Sequence, residues 1–368
     1  MRIVPIDCIR EGAFLGKTIY DQNGNPLLKA GTSLNKKILD QIKKFNIYSL
    51  YIIDNYIDTE IEDIIKPELR NKTIKLLKET FSNIYKFNNI NNNETTKRNL
   101  HKKNLEYFKS INEISEELID NILRNKDMLV SLIDIKNTDN YTYQHSVNVA
   151  VISLIIGIGL NLDKNKLITL CSGALLHDIG KIFIPKYILN KPSSLTHEEY
   201  EIVKNHPKLG YEYLKRQSQI KTSILLISLQ HHERIDGTGY PYGLTGEKIH
   251  YLSKIVSLAD VYDALTSDRS YRRALSASDA IEYIMGNVGK MFDFDIVNMF
   301  TKLIVPFPFG TIVRLSNGDV GIVQETPAHF PLRPSVKILK SNDIDSEGNI
   351  INLVDELTLV ISNIENNI

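Results

Sequence analysis

Only two cysteines occur in 368 residues, Cys8 and Cys171, far apart and in no paired motif. That argues against a disulfide framework and suits a reducing interior. Neither sign of charge prevails: Lys+Arg and Asp+Glu both number 44, so the formal net charge is zero. The chain therefore lacks the global basic footprint of a DNA- or RNA-binding protein, although a local cationic pocket is compatible with this balance. No apolar run is long enough to span a bilayer. The longest, Val147 to Leu160, contains Asn148 and Ser153 and reads as a buried helix. The first residues bring Arg2, Asp7, Arg10 and Glu11 close together and lack the apolar core of a secretory signal. These absences predict a cytoplasmic protein with no membrane segment and no nucleic-acid polymer as partner.

What is present is ordinary for a globular chain: 42% hydrophobic and 24% charged residues, with enough length for two or three domains. Residues 1–60 read as a small α+β module. It has a hairpin signal at Asn23-Gly24, a short helix over Asn35–Phe45 capped by Thr32 or Ser33, and a strand over Ser49–Ile53. Residues 61–102 hold a helix, with Leu69, Ile74, Leu77, Phe81 and Ile84 at helical spacing, and an Asn-rich linker over Asn88–Asn99. A second long helix is expected over Lys103–Ile135. It either pairs between two copies, giving a homodimer, or sheathes one domain. Residues 103–303 read as mainly α, with helices expected over Thr142–Leu160, Asp163–Leu176, Thr196–Gln217, Ile220–His232, Leu252–Asp268, Ser276–Gly286 and Asp293–Leu303. Thr196-His197-Glu198-Glu199 is a capping box, which makes His197 a first-turn surface residue. Residues 304–368 turn β-rich, with a hairpin at Asn317-Gly318 and further strands over Ser335–Leu339 and Leu357–Ile361. His329, in a proline-rich loop there, is assigned no metal.

Five of the nine histidines form an arrangement with two aspartates. His145 lies in the first turn of one helix, and His177-Asp178 ends the next. His206 stands before Pro207. His231-His232 closes the apolar run Ile224 to Leu229, and Asp260 follows a long apolar stretch. Any one of these histidines alone reads as a structural or surface residue. Together they place ligands at or near helix ends, and imidazoles and carboxylates on facing helices are how all-α domains build metal sites. An adjacent histidine pair is also costly to bury unpaired, and metal coordination is the simplest compensation.

The motifs His177-Asp178-Ile179-Gly180-Lys181, His206-Pro207-x-x-Gly210, His231-His232-Glu233-Arg234-x-Asp236-Gly237-x-Gly239-Tyr240-Pro241 and Asp260-x-x-Asp263-Ala264-Leu265-Thr266 resemble the HD superfamily of metal-dependent phosphohydrolases. The Gly239-Tyr240-Pro241 triplet marks the HD-GYP subgroup. The resemblance covers about residues 103–303. It implies a helical HD-type phosphohydrolase domain, flanked here by the α+β and β-rich modules. The implied activity is hydrolysis of cyclic di-GMP to the linear dinucleotide pGpG and, in many members, to GMP. The implied metal ligands are His145, His177, His206, His231 and His232 with Asp260, and with Asp178 as the bridge. Mixed N/O ligands in this number suit two divalent ions, iron or manganese, better than zinc. Two cations roughly 3.5–4 Å apart can acidify a bridging water into a hydroxide nucleophile and hold a phosphodiester for in-line attack.

The resemblance also implies that Lys181 contacts the phosphate or helps the leaving oxygen, a catalytic role beside Asp178. The loop Asp236–Gly243 shapes the pocket wall and offers Tyr240 to substrate. Arg269 and Arg272 resemble the family's basic phosphate contacts, while Tyr271 either stacks on a base or packs. Two departures stand out. Ser270 replaces the usual proline between Arg269 and Tyr271. Tyr141 stands where some members carry a glutamate that helps hold a third metal, which puts a third ion, and efficient conversion to GMP, in doubt. Two alternatives stay open at this point: a phosphodiesterase for another cyclic dinucleotide, and a catalytically idle nucleotide-binding adaptor.

Overall fold

A computed structural model describes residues 1–20, 26–44, 47, 49–53, 64–88, 94–124, 141–191, 193–217, 220–267, 274–307, 309–327, 330–341, 343 and 346–365. The chain divides into two compact units, one of residues 1–63, 127–141 and 301–368, the other of residues 64–126 and 142–300.

In the first unit, strands β1 (Arg2–Pro5), β2 (Phe14–Leu15), β3 (Ile19–Tyr20), β4 (Pro26–Leu28) and β5 (Ser49–Ile53) accompany one helix, α1 (Lys36–Lys44). They form an antiparallel sheet in the order β1-β5-β2 and a separate β3-β4 pair. Val4, Leu15, Leu34 and Leu50 are fully buried between sheet and helix. The expected Asn23-Gly24 turn lies outside the described residues. The helix cap differs from expectation. Asn35 Oδ1 accepts the Ile38 amide at 2.9 Å, whereas the Thr32 hydroxyl donates to the Lys29 carbonyl. A residue directly before the first helical turn reaches its free N–H groups, and Thr32 is too far upstream.

The second unit is helical: α2 (Pro67–Asn88), α3 (Glu94–Arg124), α4 (Tyr141–Gly159), α5 (Lys164–Leu176), α6 (Lys186–Leu189), α7 (His197–Val203), α8 (His206–Lys215), α9 (Thr222–Gln230), α10 (Tyr251–Thr266), α11 (Ala277–Gly286) and α12 (Phe294–Leu303). The Asn-rich linker is narrower than expected, since α3 already begins at Glu94. The last part of the expected 103–135 helix lies outside the described residues. Helix α2 packs on α3, α3 on α5, α5 on α9, and α9 on α8 and α10. Helices α4, α5, α9 and α10 are apolar on nearly all sides. Val147 to Ile156, Leu167 to Leu176 and Leu252 to Asp263 are almost continuously buried, the pattern of helices surrounded by protein. No helix among the described residues is long and apolar enough to cross a membrane.

The single helix expected over Thr196–Gln217 is two. The capping box at Thr196 and Glu199 is present and His197 is exposed, but α7 stops at Val203 and α8 restarts at His206. Pro207 is the cause. It has no N–H for the Val203 carbonyl four residues back, and its ring would collide with that carbonyl in a continuous helix. Glycine sets the next contact. A 3-10 turn over Ile179–Phe183 lies so close to α8 that a Cβ on Gly180 would sit 1.9 Å from the His206 carbonyl oxygen and 2.7 Å from the Gly210 nitrogen. The glycines of two sequence motifs thus face each other, and no larger residue fits between the backbones.

The C-terminal strands of the first unit form an antiparallel sheet ordered β10-β6-β7-β8-β9, from β6 (Ile312–Leu315), β7 (Val320–Glu325), β8 (Ser335–Lys340), β9 (Ile350–Asn352) and β10 (Ile361–Ile364). The β6–β7 hairpin turns at Asn317-Gly318 as expected, with the Gly318 amide donating to the Leu315 carbonyl. The strand expected over Leu357–Ile361 instead begins at Ile361. The Arg333 guanidinium donates to the carbonyls of Leu353 and Leu359, each at 3.0 Å, and so holds the preceding segment as a loop. His329 lies outside the described residues.

Gly180→Ala is expected to destabilise the fold by about 3 kcal/mol, the upper end for overpacking, because the added methyl meets backbone rather than a movable side chain. Denaturant midpoints of the two proteins measure this. An unshifted midpoint would show that the turn and α8 can separate freely.

Candidate metal centre

The expected ligands come from five helices, α4, α5, α8, α9 and α10, and converge. His177 is the C-cap of α5 and His231 that of α9, while His206 opens α8. The last carbonyls of a helix lack backbone partners, and these side chains use them. His177 Nδ1 donates to the Ala174 carbonyl at 2.6 Å and His231 Nδ1 to the Ser228 carbonyl at 2.9 Å. His206 Nδ1 donates at 2.8 Å to the Val203 carbonyl, the one that Pro207 leaves without a backbone donor. In all three the partner lies three residues upstream. With Nδ1 carrying the proton, Nε2 presents a lone pair to the centre, which is how ligating imidazoles are oriented in metal sites.

The centre is Asp178, 1% exposed. Its Oδ1 lies 3.3 Å from His206 Nε2 and 3.8 Å from His231 Nε2. Its Oδ2 lies 3.4 Å from His177 Nε2 and 3.8 Å from His145 Nε2. Asp260 spans the same two groups, with Oδ1 at 3.0 Å from His145 Nε2 and Oδ2 at 3.6 Å from His232 Nδ1. Asp178 with His206, His231 and His232, and Asp178 with His145 and His177, are each grouped tightly enough to hold a metal ion. The donors fit such an ion. His206 Nε2 and His231 Nε2 face each other at 3.2 Å with both Nδ1 atoms already donating, so two lone pairs oppose one another until a cation stands between them. Among the described residues, the buried His177 Nε2 and Asp178 Oδ1 have no hydrogen-bond partner. Orphaned polar atoms at this depth are costly.

Charge is distributed unevenly. Burial favours a neutral Asp178 carboxyl, but the Lys181 ammonium, donating to Oδ2 at 2.5 Å, together with the His177 and His206 imidazoles outweighs it and holds the group well below the usual carboxylate range. Burial pushes His232 down to about 3 against the pull of Asp260, and burial beside three other imidazoles lowers His231 as well. Both therefore stay neutral. His145 goes the other way. Burial opposes its charge, yet the carboxylates of Asp260 and Asp263 overcome it and raise the imidazole to about 9. Cys171, six residues before His177 on α5, is raised by burial to about 12 and stays a thiol.

Sequence reasoning missed three supporting residues. Asp263 Oδ2 accepts from His145 Nδ1 at 2.7 Å, and its Oδ1 accepts from Asn148 Nδ2 at 2.9 Å. Their spacing carried a signal, since Asp263 follows Asp260, and Asn148 follows His145, by three positions on one helix face. The third is Glu233, 1% exposed, whose two oxygens accept the amides of Tyr242 at 2.8 Å and Leu244 at 2.9 Å. It pins the loop Asp236–Gly243 over the site. Gly239 passes where a Cβ would lie 2.3 Å from the Arg234 nitrogen, and Gly237 has φ +82. The loop delivers Tyr240 against the cluster, its ring centroid 4.7 Å from that of His232. Arg269, Tyr271 and Arg272 lie outside the described residues, as does any side-chain placement of Tyr141.

Glu233→Gln is expected to cost about 1–3 kcal/mol, because an amide NH2 must then oppose a backbone N–H. Faster hydrogen exchange at the Tyr242 and Leu244 amides, with α5 unchanged, is the predicted signature. Retained protection at both would deny Glu233 this role.

Residues 127–296 match the family model described as "HD domain", and residues 312–367 that described as "KOW domain associated with HD domain". A cyclic di-GMP phosphodiesterase of Pseudomonas aeruginosa is 38% identical over 229 residues, 62% of this chain and 55% of that protein. A 3'3'-cGAMP-specific phosphodiesterase of Vibrio cholerae is 36% identical over 162 residues, 44% of this chain and 35% of that protein. The chain spans about half the length, or less, of these relatives. The solved structure of a "HDG"Y"P protein" from Bdellovibrio bacteriovorus aligns with a TM-score of 0.53 at 21% identity, covering 81% of this chain and 97% of that one, which shows a shared fold. Residues 127–296 are thus similar to the HD-domain family, and the Gly239-Tyr240-Pro241 triplet lies within that matched segment.

Proposed function

We propose that this protein is a metal-dependent phosphodiesterase that hydrolyses a cyclic dinucleotide, cyclic di-GMP foremost, to pGpG and onward to GMP at most slowly. One observation carries the reading: Asp178 offers each of its oxygens to a different pair of imidazole nitrogens. That split supports a binuclear site bridged by Asp178, with His145 and His177 on one ion, His206, His231 and His232 on the other, and Asp260 reaching both groups. The all N/O donor set, with Cys171 held as a thiol, favours iron or manganese over zinc. Divalent ions bound there supply Lewis acidity, acidifying a water nucleophile and neutralising the phosphodiester oxygens.

The chain's own groups do the rest. Lys181, partly exposed beside Asp178, would offer its ammonium to the phosphate or the leaving oxygen. Tyr240, whose phenol burial keeps protonated, stands beside His232 as a donor and an aromatic wall for substrate. Arg269 and Arg272 are proposed as further phosphate contacts. Cys8 and Cys171, neither in a disulfide, fit a cytoplasmic home. The Vibrio relative's name motivates a second reading, a phosphodiesterase for 3'3'-cGAMP.

Manganese- or iron-loaded protein, kept reduced, is expected to convert cyclic di-GMP to pGpG, with 3'3'-cGAMP run in parallel to rank the two readings. Asp178→Ala is expected to lose both metal and turnover. An absence of turnover on either nucleotide with either metal sinks the reading, and signalling output that survives Asp178→Ala favours an idle adaptor.

Metal uptake is also expected to depend on pH. His145, at about 9 without metal, is protonated at pH 7 and must give up the Nε2 proton to become a ligand. His231 and His232 have none to lose. Loading at pH 7 should release about one proton for the site that His145 serves, and affinity should rise about tenfold per pH unit up to pH 9. Calorimetry in buffers of different ionisation enthalpy reads the proton. A pH-independent affinity would contradict the assignment.

A further inference from the structure

We infer that Arg70 is a positioning residue of the metal centre, acting through Asn148 and Asp263 on His145; this rests on the binuclear reading above. Arg70 lies near the start of α2, outside residues 127–296 that match the HD domain, and 78 residues from Asn148. Its Nη1 donates to Asn148 Oδ1 at 2.6 Å. Asn148 Nδ2 donates to Asp263 Oδ1 at 2.9 Å, and His145 Nδ1 donates to Asp263 Oδ2 at 2.7 Å.

The direction of this chain is fixed by its ends. A guanidinium has only donors and a carboxylate only acceptors, so the Asn148 amide fits between them in one orientation. Asn148 and Asp263 are 8% and 3% exposed, so neither is satisfied by bulk water, and a buried carboxylate needs such partners. The positive end of the relay is Arg70, one amide away.

His145 needs this support for a reason of helix geometry. His177, His206 and His231 anchor Nδ1 on backbone carbonyls at helix ends or at Pro207. His145 is the fifth residue of α4, inside the helix and not at its end, where carbonyls are engaged by the next turn. Its Nδ1–H is taken instead by the Asp263 carboxylate. The orientation of this ligand therefore depends on a helix that the family segment does not include.

The test uses Arg70→Met, Arg70→Lys, Asn148→Leu and the Arg70→Met/Asn148→Leu pair in the full chain. Manganese retention is read by competition with a chelator. The melting temperature of the metal-free protein and its histidine side-chain NMR are read alongside. Arg70→Met should weaken manganese binding at least tenfold, within the range for outer partners of metal ligands. Arg70→Lys should fall between Met and wild type, and the double variant should be no worse than Asn148→Leu alone, because both cut one relay. In metal-free protein the protected His145 Nδ1–H signal should be present in wild type and lost in Arg70→Met. The inference is overturned if Arg70→Met holds manganese like wild type, if the two losses add, or if the metal loss merely follows a lowered melting temperature with no rescue by lysine. Should wild type take up no manganese, the binuclear reading fails on its own. The NMR signal then decides the relay, and an unchanged signal in Arg70→Met rejects it.

Discussion

The candidate metal centre depends on a short local hydrogen bond repeated three times: an imidazole Nδ1–H donating to the carbonyl three residues before it. At His231 the carbonyl is free because a helix ends there, at His206 because Pro207 takes away its backbone donor, and at His177 it holds only a long bond from the cap's own backbone N–H. Each bond does two things at once. It supplies a short bond to a carbonyl that the helix leaves weakly bonded or unbonded, and it turns the lone pair of Nε2 toward Asp178. The ligands are thus oriented by helix termination itself, at no cost in extra polar partners.

Bringing those helix ends together is a matter of backbone clearance. The Gly180 turn lies against α8 at a distance that excludes any Cβ, which carries Asp178 and Lys181 up to His206. Glu233 then folds the following loop back by holding two of its amides, and the loop lays Tyr240 on His232. The motif residues outside the His/Asp cluster, the glycines and Glu233, are those that set where the candidate ligands and the wall stand. His145 is the exception, held by Asp263 and Asn148, and its raised imidazole reflects the two carboxylates around it.

Much of this was legible along the chain. The five histidines and two aspartates stand out because polar groups interrupt apolar runs at helix ends, and the hairpin at Asn317-Gly318 and the capping box at Thr196 follow from local chemistry. The break between α7 and α8 was readable too, had Pro207 been weighed against the apolar spacing that runs through it. The cap at Asn35 and the late start of β10 were harder. The first turns on two or three residues of register, the second on Arg333 reaching carbonyls twenty and more positions away.

The sequence by itself determined the donor set, its lack of sulfur, and the tautomer of three imidazoles, since those bonds close within three residues. Tertiary structure alone decided which oxygen of Asp178 faces which histidines, that Lys181 rests on that same carboxylate, and that Asp263, 118 residues away, holds His145. The physical reason is range. A helix end dictates what its own side chains can reach, but the meeting of separate helices depends on how their apolar faces and glycine clearances pack, and no local spacing encodes that.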